Sequence, residues 1–296
     1  ALNPGGSAKD RPARHMIERA LADGRLKAGD TVVESSSGNM GIGLAQACAV
    51  HGLQFICVVD PNAQSQNVAI IRALGGQIEL VDHAPDGDFL AARLDRVAKL
   101  LEEDSRRFWP NQYANLDNPE SHELGTIAEI DAALGGQIDV LFVACSSTGT
   151  ARGCRDYLRR MGRKTKVVAV DAMGSTLFNG TAGPRKISGM GAGRIPELAK
   201  GQEFDDLVRV SDVTCVAGCR RAVAREGLLV GGSGGGVLEA VRGMQDELAG
   251  LTVAAIIHDS GSRYLGTVFD PEWVERELGI CEADVTALAG LAPADS

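Results

Sequence analysis

Aromatic residues are scarce in this chain, 4% of 296 residues, and histidines number only five. So few rings offer little surface for bases to stack on, and a formal net charge of −9 disfavours a polyanion as partner. Nucleic-acid binding is therefore not expected. No apolar run approaches the ~20 residues that span a bilayer, so no membrane role is expected, and no signal peptide is visible. The seven cysteines contain no CxxC pair, and neither they nor the histidines show metal-ligand spacing, so no metal is expected. Cys48, Cys57, Cys145 and Cys154 lie in apolar patterns as small core residues, while Cys215 and Cys219 stand four apart on an expected helix. Unpaired thiols fit a reducing cytoplasm. A Walker loop is missing, as is GxGxxG followed by an acidic residue at the end of the next strand, which argues against a nucleotide site.

Glycine, by contrast, is plentiful at 37 residues. It suits tight turns between strands and helices. Apolar runs predict strands at 31–35, 54–60, 77–82, 139–145, 166–172, 207–211, 228–231 and 252–258. Helical periodicity fills the gaps, at 41–51, 66–74, 88–103, 119–134 and 234–248. Continuous β-branched runs alternating with helices predict an α/β fold of open, twisted, mostly parallel sheets flanked by helices. The length suits two domains. The alternation breaks at "FWPNQYANLDNP" (108–119), which places an N-terminal α/β domain at 1–115 and a C-terminal one at 116–296.

The stretch "NPGGSAKDR" (3–11) reads as a helix start, with Ser7 as cap, Asp10 closing a capping box and Pro12 in the first turn. Lys9 then lies where the helix dipole disfavours a cation. It is either a solvated side chain or one whose neutral amine is wanted. Three further turns, "SSSGNMG" (35–41), "SSTGTARG" (146–153) and "GGSGGG" (231–236), each follow a strand and open a helix. Such turns offer backbone N–H groups and hydroxyls to an anion. One of them alone is as readily mere connection as an anion site; three beside a lysine turn suggest a phosphorylated cofactor that reacts with an amine.

In order along the chain, "PGGSAKDR", "SSGNMG", "SSTGT", "GMGAGRIP" (189–196), "VGGSGGG" and "DSGSRYL" (259–265) resemble the motifs of the β-replacing, fold-type II pyridoxal-phosphate enzymes. That family includes cysteine synthase and cystathionine β-synthase. The resemblance implies pyridoxal 5'-phosphate as cofactor and Lys9 as its covalent attachment point and general base. It implies that Asn39 bonds the cofactor's 3-hydroxyl and that Ser36, Ser37, Gly38, Asn39 and Met40 close on the substrate carboxylate. Ser146, Ser147, Thr148, Gly149 and Thr150 would cradle the phosphate, and Ser233 would meet the pyridine nitrogen, its bland alternative being a helix cap only. The family also implies a homodimer, small amino-acid substrates, a mobile smaller N-terminal domain, and a segment of a few tens of residues before the lysine motif.

Two departures bear on substrate. Sulfhydrylases of the family usually carry Gly-Thr-Gly-Gly-Thr in the phosphate loop and an aromatic where this chain has Arg194. An arginine there suits an extra anionic group, or is simply a surface side chain. "WPNQYANLDNPESH", "VVAVDAMGS" and "GMGAGRIPE" closely resemble one subgroup, the N-(2-amino-2-carboxyethyl)-L-glutamate synthases of siderophore and peptide-antibiotic pathways, which supply L-2,3-diaminopropionate. By that resemblance Gln112, Tyr113 and Ser146 line the substrate pocket and Arg93 takes a leaving phosphate. A cysteine synthase using O-acetylserine or O-phosphoserine with sulfide is the alternative.

Overall fold

Short apolar runs buried on both faces, with helices between them, build parallel sheets. The computed structural model describes residues 2–84 and 87–291 and holds two such sheets, one in each of two compact units: Asn3–Asn118 and the chain from Pro119 onward.

In the first unit α1 (Asp10–Ala22) leads into β1 (Thr31–Ser35), α2 (Asn39–His51), β2 (Gln54–Val59), α3 (Ser65–Ala73), β3 (Gln77–Leu80) and α4 (Phe89–Glu103). The strand order is β1-β2-β3, every pair parallel, with Glu34 opposite Cys57. Beyond α4 the chain returns along β1: Val33 N–H donates to Phe108 O and Phe108 N–H donates to Thr31 O, both at 2.9 Å. The segment that breaks the alternation therefore starts as a short parallel partner of β1. Met16, Ile17 and Ala20 of α1 pack with Ile42, Leu44 and Ala45 of α2 in one buried cluster.

That packing explains one glycine. A Cβ on Gly43 of α2 would come 2.9 Å from Ala13 Cβ and 3.0 Å from Lys9 O. Neither has room to yield, so α2 presses directly on the start of α1. Gly43→Val is expected to cost about 1–3 kcal/mol, read as a lowered denaturant midpoint. An unchanged midpoint would show that the helix pair tolerates separation.

In the second part of the chain α5 (Asp117–Ser121) continues through a π-helical turn (His122–Ile127) into α6 (Ala128–Ala133). The sequence predicts one helix over 119–134. The π turn interrupts it where Gly153 packs: a Cβ there would collide with Pro119 O and lie 2.9 Å from His122 Cβ. The following elements are β4 (Val140–Ala144), α7 (Gly149–Arg160), β5 (Lys166–Ala172), β6 (Asp206–Val210), α8 (Asp212–Glu226), α9 (Gly232–Gly243), β7 (Val253–Ala255), α10 (Pro271–Leu278) and α11 (Glu282–Leu288). The sheet order is β6-β5-β4-β7, again all parallel. Since β5 and β6 lie on one side of β4 and β7 on the other, the order reverses at β4. Its carboxyl end opens the crevice where such folds take ligands.

Two expected strands differ. The run 228–231 is no sheet strand. Leu229 O accepts from Gly261 N and Gly231 N donates to Asp259 O, so it pairs locally with 259–261. The strand expected at 252–258 shortens to Val253–Ala255, because its pairing with β4 covers only Val140–Phe142.

Candidate active site

The turn after β4 begins where the reversal opens the crevice. Thr148 takes a left-handed conformation, φ 66°, at the N-cap of α7, so the chain turns sharply into that helix. Ser147, Thr148 and Thr150 are buried, at 3%, 2% and 4% exposure. The first N–H groups of α7 lack intrahelical acceptors, as at any helix start, and converge with the dipole on one point. The hydroxyls are already engaged: Ser146 Oγ donates to Gly191 O at 3.0 Å, Gln202 Nε2 donates to Thr148 Oγ1 at 3.0 Å, and Thr150 Oγ1 lies 3.2 Å from His122 Nε2. Ser146 spends its proton in that bond, whereas Thr148 accepts and keeps its own, so the turn offers an anion backbone N–H groups together with the Thr148 hydroxyl.

The loop 189–193 lies against the same turn. Gly191 N donates to Cys145 O at 2.7 Å, and a Cβ on Gly189 would sit 3.9 Å from Ser233 Oγ. Both glycines have positive φ, 82° at Gly189 and 74° at Gly191. Ser146 and Ser233, far apart in sequence, so flank one glycine loop. Ser233 itself is buried in the first turn of α9. The glycines after it have a packing cause. A Cβ on Gly235 would collide with Cys215 O and come 2.6 Å from Cys219 Sγ, and one on Gly236 would meet Cys215 Sγ at 2.8 Å. Close contact of α8 and α9 therefore demands glycine at 235 and 236, against Cys215 and Cys219, whose thiols burial raises above their ordinary range. Arg194, at the end of the same loop, is exposed.

In the first unit Lys9 is the N-cap of α1 rather than a residue of its first turn. The expected Ser7–Asp10 box is displaced. Gly5–Gly6 fold back, so that Asp10 accepts from Gly5 N and Ser7 Oγ accepts from Lys9 N at 3.2 Å. Asn39 opens α2 one turn before Gly43, the residue that touches Lys9 O, so the lysine and asparagine turns are neighbours. Ser36 Oγ accepts from Gly41 N at 3.0 Å and so caps α2, Ser37 O accepts from Asn67 Nδ2 at 3.2 Å, Gly38 is the N-cap and Met40 is buried.

Gln112 and Tyr113 are organised by a residue that the sequence patterns do not single out. Glu34 of β1 is completely buried and accepts from Trp109 Nε1 at 2.9 Å, Ser35 N at 2.9 Å and Gln112 N at 3.2 Å. Gln112 O is held in turn by Asn118 Nδ2 at 2.8 Å. Burial pushes the Glu34 carboxyl up to about 7, against these hydrogen bonds and one from the Asn111 backbone. Within "TVVES" it reads as one polar residue in an apolar strand; a buried carboxylate needs partners, and that is the signal it left. Arg93 is not a free cation: its Nε lies 3.1 Å from Asp60 Oδ2, both side chains largely buried.

Residues 1–259 match the family model described as "Pyridoxal-phosphate dependent enzyme". The chain belongs to that family. It is 43% identical over 277 residues to an N-(2-amino-2-carboxyethyl)-L-glutamate synthase from Ralstonia nicotianae, a match covering 93% of this chain and 82% of that protein. A protein of the same name from Cupriavidus metallidurans is 41% identical over 280 residues, with the same coverage. Among solved structures, O-ureido-L-serine synthase superposes with a TM-score of 0.85 at 33% identity, covering 90% of this chain and 85% of that one. The neighbours are fold-type II enzymes, so the fold class expected from the sequence is borne out.

The residues present fit this family's cofactor. Pyridoxal phosphate needs donors for its phosphate, and the buried turn 146–150, with Thr148 left-handed at the start of α7, offers helix-start N–H groups of that kind. It needs a primary amine for its aldehyde, and Lys9 follows a glycine turn braced by Asp10. Ser233 brings a neutral hydroxyl to the glycine loop beside Ser146. Among the described residues, no helix is long and apolar enough to cross a membrane.

Proposed function

We propose that this enzyme joins O-phospho-L-serine to L-glutamate, giving N-(2-amino-2-carboxyethyl)-L-glutamate and phosphate. The likeness over 93% of the chain to two synthases of that name carries the reading. Pyridoxal phosphate, when bound, supplies an electron sink for the carbon skeleton. Lys9 holds the cofactor at rest; once displaced by the incoming amino acid, its amine takes the Cα proton and later returns it. The Cβ–O bond breaks and its electron pair leaves with phosphate. The amine of glutamate forms the Cβ–N bond and releases its surplus proton to solvent.

In this reading Ser147, Thr148, Gly149 and Thr150 hold the cofactor phosphate, mainly through N–H groups, with Ser146 at their edge. Asn39 bonds the 3-hydroxyl, and Ser233 leaves the pyridine nitrogen uncharged, which favours replacement at Cβ. Ser36, Ser37, Gly38 and Met40 form the loop for the substrate carboxylate, beside Gln112 and Tyr113. Arg93 receives the leaving phosphate after parting from Asp60, and exposed Arg194 answers the extra carboxylate of glutamate. A homodimer accompanies this reading on family resemblance. Seven free cysteines, six of them buried, support a cytoplasmic setting. The product suits a pathway that makes L-2,3-diaminopropionate.

The test is a product analysis. Protein, phosphoserine and either glutamate or sulfide are mixed, and the products are identified by mass. The condensation product with glutamate is expected; cysteine from sulfide, with glutamate unused, would make the enzyme a cysteine synthase. An arginine–carboxylate contact is worth about 1.5–3 kcal/mol, so Arg194→Ala should lower kcat/KM for glutamate roughly ten- to a hundredfold and leave that for phosphoserine unchanged. Equal losses for both substrates would remove Arg194 from the glutamate site.

A further inference from the structure

We propose that Glu34 is a positioning residue for substrate binding: its buried carboxylate ties the 109–113 segment to β1 and so sets where Gln112 and Tyr113 stand. The inference rests on the reading that those two residues line the substrate pocket.

The geometry is that of a dedicated acceptor. A carboxylate has two oxygens and about four lone-pair sites. Here they meet the Trp109 indole N–H and backbone N–H groups of Ser35 and Gln112 at 2.9–3.2 Å, with the Asn111 backbone adding another. Three of the four donors belong to a segment with few other anchors. Asn111 stands in the left-handed region, φ 49°, and the bonds to Pro110 O and Gln112 O come from Asn115 and Asn118 further along the same segment. Glu34 alone connects 109–112 to the sheet beyond the Phe108 bridge among the bonds described. A buried charge kept at such a cost of desolvation is explained if the position of the segment matters.

A glutamine is nearly isosteric yet cannot replace it. Its amide has one accepting oxygen and an NH₂ group that would face N–H donors. Glu34→Gln therefore keeps only one of the two accepting oxygens and weakens the tie to the Gln112 side or the Trp109 side, while keeping the volume. The other ionisable groups around Glu34 do not take over: Cys57 on β2 has its thiol pushed up to about 12, the Tyr113 phenol is raised by burial, and Arg93 on α4 is paired with Asp60 at the end of β2.

The experiment uses the holoenzyme and two readouts. In a Trp273→Phe background the remaining indole, Trp109, reports the tie by its emission. In the parent that emission is expected to change with a midpoint near pH 7, as the carboxyl ionises, and in Glu34→Gln to be flat across the same range. Kinetically, Glu34→Gln should raise KM for phosphoserine about tenfold or more while kcat at saturation stays within about threefold. In a Gln112→Ala background the same change should cost little further, since the effect runs through Gln112. Additive losses in the double variant, or Trp109 emission that stays equally pH-dependent in the Glu34→Gln variant, would overturn the proposal. If Glu34→Gln does not retain cofactor, Trp109→Phe removes one donor only and should raise KM about threefold with the cofactor absorbance intact; no change in KM overturns the proposal. The emission readout needs no turnover, so a failure of glutamate as substrate would sink the proposed reaction and leave the result on Glu34 standing.

Discussion

Lys9→Ala is expected to lower turnover by at least about a thousandfold and to abolish the cofactor label that borohydride leaves on the peptide containing residue 9. The physical reason is specific to this position. The amine is the only part of the residue the proposed chemistry uses, whereas the backbone at Lys9 has φ −70° and ψ −16°, which alanine adopts without strain. Its carbonyl, which accepts from Ala13 N at 3.1 Å and faces Gly43, is kept in the variant. The backbone of α1 and its contact with α2 should therefore be retained in the variant. The fold and the chemistry part company in this one substitution. A variant that keeps turnover, or a label found on another lysine, would remove Lys9 from its proposed role and the mechanism with it.

Gly149→Trp should weaken retention of pyridoxal phosphate by about a hundredfold or more, measured as cofactor remaining after extensive dialysis. Gly149 is the first residue of α7 and buried, directly after Thr148 in its left-handed turn. A bulky side chain there must either fill the space over the helix start or turn the backbone, and in both cases the N–H groups no longer converge on an anion. Ser146 already spends its proton on Gly191 O, and Thr148 and Thr150 are held by Gln202 and His122, so the hydroxyls alone are poorly placed to make up for the lost N–H donors. Cofactor content equal to that of the parent would place the phosphate elsewhere. Together with Lys9→Ala, which should leave the anion cradle intact, the pair separates the covalent from the electrostatic hold on the cofactor.

Much of the architecture was legible because parallel strands buried on both faces must be apolar throughout. "TVVES", "QFICVV", "VLFVA" and "KVVAVDA" each became a strand within a residue or so of the expected limits. The failures are as physical. The run "LLVG" satisfies the same composition rule, yet its neighbours 259–261 bind it locally, and composition says nothing of a competing partner. The Ser7–Asp10 box matches a four-residue spacing rule, but the Gly5–Gly6 turn brings a nearer N–H to Asp10. The run "GGSGGG" reads in the sequence as a ligand loop or a helix cap; its Gly235 and Gly236 answer to the contact of α8 with α9.

What the sequence by itself determined is the set of local devices: which turns open helices, which runs are strands, and which lysine follows a glycine turn. These depend on neighbours within a few residues, so they are written in order along the chain, and the motif resemblance could be recognised from them. Only the tertiary structure decided which distant residues share a neighbourhood. Ser146 and Ser233 meet across the glycines at 189–191, Gly43 bears on Lys9, and Glu34 gathers Trp109 and Gln112 from more than seventy residues away. The reason is that a buried carboxylate or a missing Cβ acquires meaning from the atoms packed against it. Those atoms are supplied by the order of strands in a sheet, and no local spacing in the chain encodes that order.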